Sequence, residues 1–164
     1  MIIEPLSKAH NRKLFDSGDA DVTCFLREQA LQDHKKDLSR TMALIDEGDV
    51  SRIIGYHTLL FALVKQEEIP RDTPLIKRNI PVILLGQLGV DMAFQGRGYG
   101  ALLLMDAQAR VHEISRKTGV RAMMLDARTE RLAQWYERHG FSRFTAQLRM
   151  FKSIQVVRKL KLIE

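Results

Sequence analysis

Leu88-Gly89-Val90-Asp91-Met92-Ala93-Phe94-Gln95-Gly96-Arg97-Gly98-Tyr99-Gly100 joins the end of an apolar run to the start of a long amphipathic one, with glycine at every second position from Gly96 to Gly100. Upstream, Val82 to Val90 reads as a buried strand, and Gly86 and Gly89 within it suggest a bulge or a place where another molecule approaches the backbone. Downstream, a helix is expected from about Gly98 to Thr118, with Leu102, Leu103, Ala107, Val111 and Ile114 on its apolar face and Gly119 at its end. A strand, a glycine turn and a helix start together favour anions: glycine permits positive φ and close approach, while free N–H groups and the positive helix end face a phosphate. Arg97 adds a guanidinium. A Walker loop needs Gly-Lys followed by Ser or Thr, which Gly98-Tyr99-Gly100 does not supply, and the dinucleotide fingerprint spaces its glycines differently and stands earlier in a βαβ unit.

Working outward, MIIEPL reads as a first strand, and Ser17 or Asp19 as the cap of a helix over Asp21 to Lys35 with Val22, Phe25, Leu26 and Ala30 on one face. Thr41–Ile45 and Arg52–Val64 read as a hairpin across the turn Asp46-Glu47-Gly48-Asp49. Lys65 to Ile80, polar and containing Pro70 and Pro74, reads as a loop or short helix. Ala122–Asp126 is a further strand, Glu130–His139 a helix stopped at Gly140, and Phe141–Phe144 the start of the last strands. Ser153 is placed to cap a final basic helix ending near Leu160. That order predicts an α/β layered domain with a mixed sheet.

The 164 residues suit one domain spanning 1–164, and 45% hydrophobic with 28% charged residues excludes a disordered chain. No apolar run approaches the roughly 18 to 20 residues of a spanning helix, and MIIEPLSKAHNRK lacks a secretory apolar region, so no membrane association and a cytoplasmic address are expected. The one cysteine, Cys24, cannot pair within the chain and is expected to be a packed thiol. A formal net charge of +6 suits an anionic partner, which a polyanionic cofactor or a nucleic acid would satisfy.

At the glycine loop the chain resembles the GNAT superfamily of N-acetyltransferases. Gln95-Gly96-Arg97-Gly98-Tyr99-Gly100 matches that family's acyl-coenzyme A motif, Q/R-x-x-G-x-G/A. The flanking pieces Leu88-Gly89-Val90-Asp91, Met123-Met124-Leu125-Asp126-Ala127 and Tyr136-Glu137-Arg138-His139-Gly140-Phe141 are similar to the family's strand, next strand and helix end. The resemblance implies a mixed central sheet with splayed parallel strands flanked by helices, and acetyl-coenzyme A as co-substrate with no metal. It implies pairing of the pantetheine arm with the backbone of Leu88, Gly89 and Val90. The pyrophosphate would lie on Gln95, Gly96, Arg97, Gly98, Tyr99, Gly100 and Ala101. Thr129 stands where the family often has Asn, with Arg128 a neighbouring alternative for that contact. Acetyl transfer needs a neutral amine, an N–H to polarise the thioester carbonyl and a donor for the departing thiolate. Val90 N–H and Tyr136 are the candidates for the last two roles, while the other reading of Tyr136 is packing beside Trp135 and Phe141. No carboxylate lies between Ile83 and Val90 to act as base; Asp91, Asp126, His57 and His139 are weaker candidates. An α-amino acceptor, easier to deprotonate than lysine, is therefore favoured.

Over nearly its whole length the chain is similar to the GNAT toxins of bacterial toxin–antitoxin pairs. The resemblance is carried by Pro5-Leu6-Ser7 with His10, Phe15-Asp16-Ser17-Gly18, Phe25-Leu26-Arg27 with Ala30-Leu31, Ser39-Arg40-Thr41, Gly55-Tyr56-His57, Leu85 to Asp91, Trp135-Tyr136 and Gly140-Phe141. Gln87 and Gly89 depart from it, standing where that subgroup commonly has Arg and Ala. It implies acetylation of the α-amino group of aminoacyl-tRNA, a DNA-binding antitoxin as partner, and a homodimer as one possible assembly. Lys35, Lys36 and Arg40 with Lys77 and Arg78 are then candidates for the tRNA backbone. Two other readings stand beside it: an acetyltransferase for a small amine or protein N-terminus, and a regulatory module that holds acetyl-coenzyme A without turnover.

Overall fold

Continuous runs buried from Thr41 to Ile45 and from Ile53 to Leu59 make the hairpin of the first strands. The computed structural model describes residues 1–69, 76–144 and 148–160. Strand β1 (Ile2–Pro5) pairs antiparallel with β2 (Arg40–Asp46), and β2 with β3 (Asp49–Val64) across the expected turn. The remaining strands are β4 (Ile80–Val90), β5 (Ala122–Asp126), β6 (Ser142–Arg143) and β7 (Arg149–Ser153). The sheet order is β1-β2-β3-β4-β5-β7-β6, with β4 and β5 parallel. The mixed α/β class expected from the sequence is therefore the class observed. The chain forms two compact units, Met1–Leu60 with Leu85–Ala107 and Phe61–Leu84 with Gln108–Glu164.

In the first unit the helical segment starts at Ala20 because the Asp19 carboxylate accepts from the N–H groups of Asp21 and Val22, satisfying donors that a helix start leaves open. One continuous helix to Lys35 was expected. Instead α1 (Ala20–Cys24) passes through a π-turn, Phe25–Gln29, before α2 (Ala30–Lys35). The wider turn still puts Val22, Leu26, Ala30 and Leu31 into a core with Phe15, Ile53 and Tyr56. Tyr56 is fully buried, meets Phe15 edge-on at 5.4 Å, stacks on Phe25 at 6.4 Å, and donates its hydroxyl to the Val22 carbonyl at 2.6 Å. Cys24, expected to be packed, is exposed on this segment.

Strand β4 within this unit has two apolar faces. Leu88 and Val90 pack against Leu44, Ile54 and Leu103, while Gly89 faces the opposite core. A Cβ at Gly89 would lie 2.5 Å from Val22 Cγ1, and one at Gly86 2.8 Å from Leu60 Cδ2. On the faces of the strand both glycines therefore make room for the protein's own side chains. Helix α3 (Tyr99–Lys117) buries Leu103, Leu104, Ala107 and Val111. Leu102, assigned to that face from the sequence, is instead exposed.

In the second unit Val64, Ile69, Ile80, Val82, Ala122, Met124 and Phe151 form one core. Val82–Leu84 of β4 pair with Ala122–Met124 of β5, and β7 runs antiparallel to both β5 and β6. A short 3-10 turn, Gln66–Glu68, occupies part of the expected loop; Pro70 and Pro74 lie outside the described residues. Thr129 caps α4 (Glu130–Arg138) by accepting from Leu132 N–H at 3.2 Å, and Gly140, at φ +85°, reverses the chain after it. The closing helix α5 (Ile154–Leu160) follows Ser153, whose hydroxyl accepts from Gln155 N–H.

Candidate active site

The glycine loop is held from below by one carboxylate. Asp91 is 3% exposed and accepts from Asp16 N–H at 3.1 Å, from Ala93 N–H at 3.0 Å and from the Arg52 guanidinium at 3.1 Å. Its own N–H donates to the Ile54 carbonyl. With every one of these contacts made, Asp91 is a structural lock, which argues against its use as a base. Arg52, which no sequence motif singled out, also lies over the Phe94 ring at 5.6 Å.

Gln95 turns inward: its amide donates to the Val90 carbonyl at 2.9 Å and the Ser17 carbonyl at 2.8 Å, bracing the loop on the segment before α1. Arg97 folds back to the Ala93 carbonyl and over Phe94 at 5.5 Å. Tyr99 packs against the cluster of Leu44, Ile54 and Leu103. These side chains build the loop, and its outer surface is left to the backbone. Gly96 and Gly98 have φ of +77° and +84°, and a Cβ built on either meets nothing within 4 Å. Beyond them, the first-turn N–H groups of α3 have no acceptor within the helix. An open, positively polarised turn of that kind accepts an anion.

Tyr136 sits on α4 in the second unit, 7% exposed, edge-on to Trp135 at 4.9 Å and to Phe141 at 5.7 Å. Burial pushes its phenol well above the ordinary tyrosine value, so it holds its proton throughout the physiological range. Both of its sequence readings survive, since the ring packs while the hydroxyl stays a protonated donor. Thr129 caps α4 with its oxygen and retains an O–H to donate.

The other candidate bases are each engaged at one or more atoms. Asp126 is gripped bidentately by Arg149, at 2.8 and 3.1 Å. His139 Nδ1 engages the Trp135 carbonyl at 2.8 Å. His57 is fully buried, its Nε2 2.6 Å from Asp106 Oδ2 and its Nδ1 without a partner. The Glu28 carboxylate, followed by the slight burial of the thiol, pushes Cys24 above its ordinary value and away from the thiolate form. Lys152, also missed from the sequence, is 3% exposed and donates to Gln108 Oε1 at 2.5 Å and the His139 carbonyl at 2.8 Å, which tethers the end of α4.

Of the proposed RNA-contacting residues, Lys35 and Lys36 are exposed together at the end of α2. Arg40 is exposed but spent locally, on the His34 carbonyl and on Asp37. Lys77 and Arg78 are exposed in the second unit.

A family model described as an acetyltransferase (GNAT) domain matches residues 41–143. The tRNA-acetylating toxin of Mycobacterium tuberculosis is 31% identical over 140 residues, 83% of this chain and 81% of its own. Among solved structures, AtaT complexed with acetyl-methionyl-tRNAfMet has a TM-score of 0.89 at 23% identity, covering 98% of each chain. A mutant AtaT toxin bound to the C-terminus of the antitoxin AtaR and acetyl-CoA has a TM-score of 0.84 at 23% identity, covering 98% of this chain and 97% of the other.

Proposed function

Since the chain belongs to the GNAT acetyltransferase family, whose members move acetyl from acetyl-coenzyme A to an amine, we propose that its acceptor is the α-amino group of aminoacyl-tRNA and that it acts as a toxin. The observation that carries the acceptor class is the absence of a free carboxylate among the described candidates: Asp91 and Asp126 are ion-paired, and β4 has no carboxylate. An α-amine of pKa about 7.7 to 8.0 is partly neutral at pH 7 and needs little help, whereas a lysine near 10.4 would need roughly 3 kcal/mol more. The mycobacterial relative's role as a tRNA-acetylating toxin and the net charge of +6 support the same reading.

The residues present fit the co-substrate. The Gly96–Gly98 turn is open on the side where a side chain would stand, and the backbone donors of Gln95 to Ala101 would hold the pyrophosphate. Leu88, Gly89 and Val90 would pair with the pantetheine arm, and bound acetyl-coenzyme A supplies the activated acyl group. Val90 N–H would polarise the thioester oxygen, and Tyr136 would give its proton to the leaving sulfur, a role its protonated state supports. The reading of 1–164 as one acetyltransferase domain rests on the match to residues 41–143, which include parts of both compact units. A DNA-binding antitoxin as partner, self-association and a cytoplasmic location follow from the toxin reading; among the described residues no helix is long and apolar enough to cross a membrane.

The test is to incubate the protein with acetyl-coenzyme A and a pool of charged tRNAs, digest with nuclease and read the aminoacyl-adenosines by mass spectrometry. An added acetyl on the α-amino group is expected, together with growth arrest on expression in bacteria. Equal acetylation of free amines or lysine peptides, with charged tRNA untouched, would refute the acceptor and the toxin role and leave the family assignment standing.

A further inference from the structure

On the first unit, the segment between β1 and α1 forms a cleft of about 310 Å³ whose lining includes Lys8, His10, Arg12, Lys13 and Arg27 and no carboxylate residue. Two of the cations are held in place by backbone. Arg12 Nη1 donates to the Arg27 carbonyl at 3.0 Å, and Arg27 Nε donates to the Phe15 carbonyl at 2.9 Å. Each anchor uses one N–H of a guanidinium, which leaves the rest of the fork to present to an anion. Arg12 Nε is buried and has no partner. Lys8 and Lys13 are exposed and make no hydrogen bond or ion pair with a described residue. His10, 3% exposed, accepts from Ser7 N–H on Nδ1 and therefore donates from Nε2 to Glu4, so it forms a neutral wall of the cleft.

Four permanent cations lining one concavity with no acidic residue in it are uncompensated, unlike Arg40, Arg143 and Arg149, which hold carboxylates. We infer that this cleft is an anion site for a backbone phosphate of the RNA, distinct from the glycine loop. The inference deepens the proposed function and rests on its reading of the acceptor as a tRNA. The segment that leaves the cleft supports it: Asp16 N–H binds Asp91, and the Ser17 carbonyl receives Gln95, so the same stretch of chain lines the cleft and braces the glycine loop. A phosphate held here would fix the RNA to the segment that positions the cofactor loop.

The lysines provide the cleaner test, because Arg12 and Arg27 also bond backbone carbonyls and their loss risks the fold. For Lys8→Gln/Lys13→Gln, the Kd for uncharged tRNA, measured by fluorescence anisotropy, is expected to rise roughly tenfold near physiological salt, and the slope of log Kd against log salt to fall by roughly 1.5 to 2. Lys117→Gln, the same change at an exposed lysine on α3, serves as control and should leave both unchanged. For acetylation, the ratio of kcat/KM for charged tRNA to that for an aminoacyl-nucleoside without backbone phosphates should fall by the same factor as binding. Wild-type Kd and salt slope in the double variant would overturn the site, as would an equal loss in Lys117→Gln. So would binding of a polyglutamate peptide that weakens in the double variant while tRNA binding does not. Because Kd is read without turnover, failure to acetylate charged tRNA alongside the expected change in binding would reject the acceptor and keep the site.

Discussion

An added methyl at Gly89 has nowhere to go, because Val22 Cγ1 would be 2.5 Å away and the rings of Tyr56 and Phe15 stand behind it at 3.4 and 3.5 Å. Val22 is β-branched and stiff at χ1, so the clash is not relieved by a small rotation. Gly89→Ala is expected to destabilise the protein by about 1 to 3 kcal/mol, the usual range for overpacking a core, and Val22→Ala in the same chain to recover part of it. Chemical denaturation reads both; an unaffected single variant would remove the packing account. From sequence alone a glycine in a strand suggests a bulge or an approaching molecule, and the side chains of Leu60 and Val22 that crowd Gly86 and Gly89 are visible only in the fold. Tyr136 is the opposite case, legible from its motif but silent there on environment. Tyr136→Phe keeps the ring packed against Trp135 and Phe141, and turnover is expected to fall roughly 10- to 1000-fold at unchanged acetyl-coenzyme A affinity. Undiminished turnover would make it a packing residue only.

At the scale of elements, periodicity located nearly every strand and helix, because buried faces impose their spacing. It missed what periodicity does not encode: the π-turn that interrupts α1 and α2, the exchange of Leu102 for Leu104 on the buried face of α3, and the inward turn of Gln95. It also missed Arg52, distant in sequence from the loop that it locks. Asp91→Asn would leave the Arg52 guanidinium facing a neutral amide and is expected to cost about 3 kcal/mol, within the range for breaking a buried pair. The same variant should raise the Kd for acetyl-coenzyme A, read by calorimetry, since the glycine loop hangs on that carboxylate; unchanged stability and affinity would reject the lock. Lys152 gives a second prediction. Burial lowers its pKa below the ordinary value of about 10.5, so the unfolded chain binds more protons than the folded one between the folded and unfolded values. Stability should therefore rise with pH through that alkaline window, and Lys152→Met should remove that contribution to the slope of the unfolding free energy.

For the whole molecule, the two basic sets that sequence suggested differ in fate, Arg40 spent on Asp37 and the lysines left exposed, while the cleft of Lys8, Arg12, Lys13 and Arg27 comes together only through folding, Arg27 lying on the π-turn. Charge count suited an anionic partner without revealing which cations were still available to one. The same availability argument, applied to bases, governs the pH dependence of catalysis. With Asp91 and Asp126 held by arginines, no enzyme carboxylate is left among these candidates to take the amine proton, and the acceptor's own ionisation sets the ascending limb. The kcat/KM for charged tRNA should therefore rise about tenfold per pH unit below the acceptor's pKa and level off above about 8, the range of an α-amino group. Tyr136, held above its ordinary value by burial, keeps its proton in this range, so no descending limb should follow near neutrality. Rates of acetyl transfer from pH 6 to 9, at constant ionic strength and corrected for deacylation of the ester, decide the matter. A plateau reached near pH 6 would reveal an enzyme base that has taken over the proton, and a rise continuing past pH 9 would identify a lysine-like acceptor.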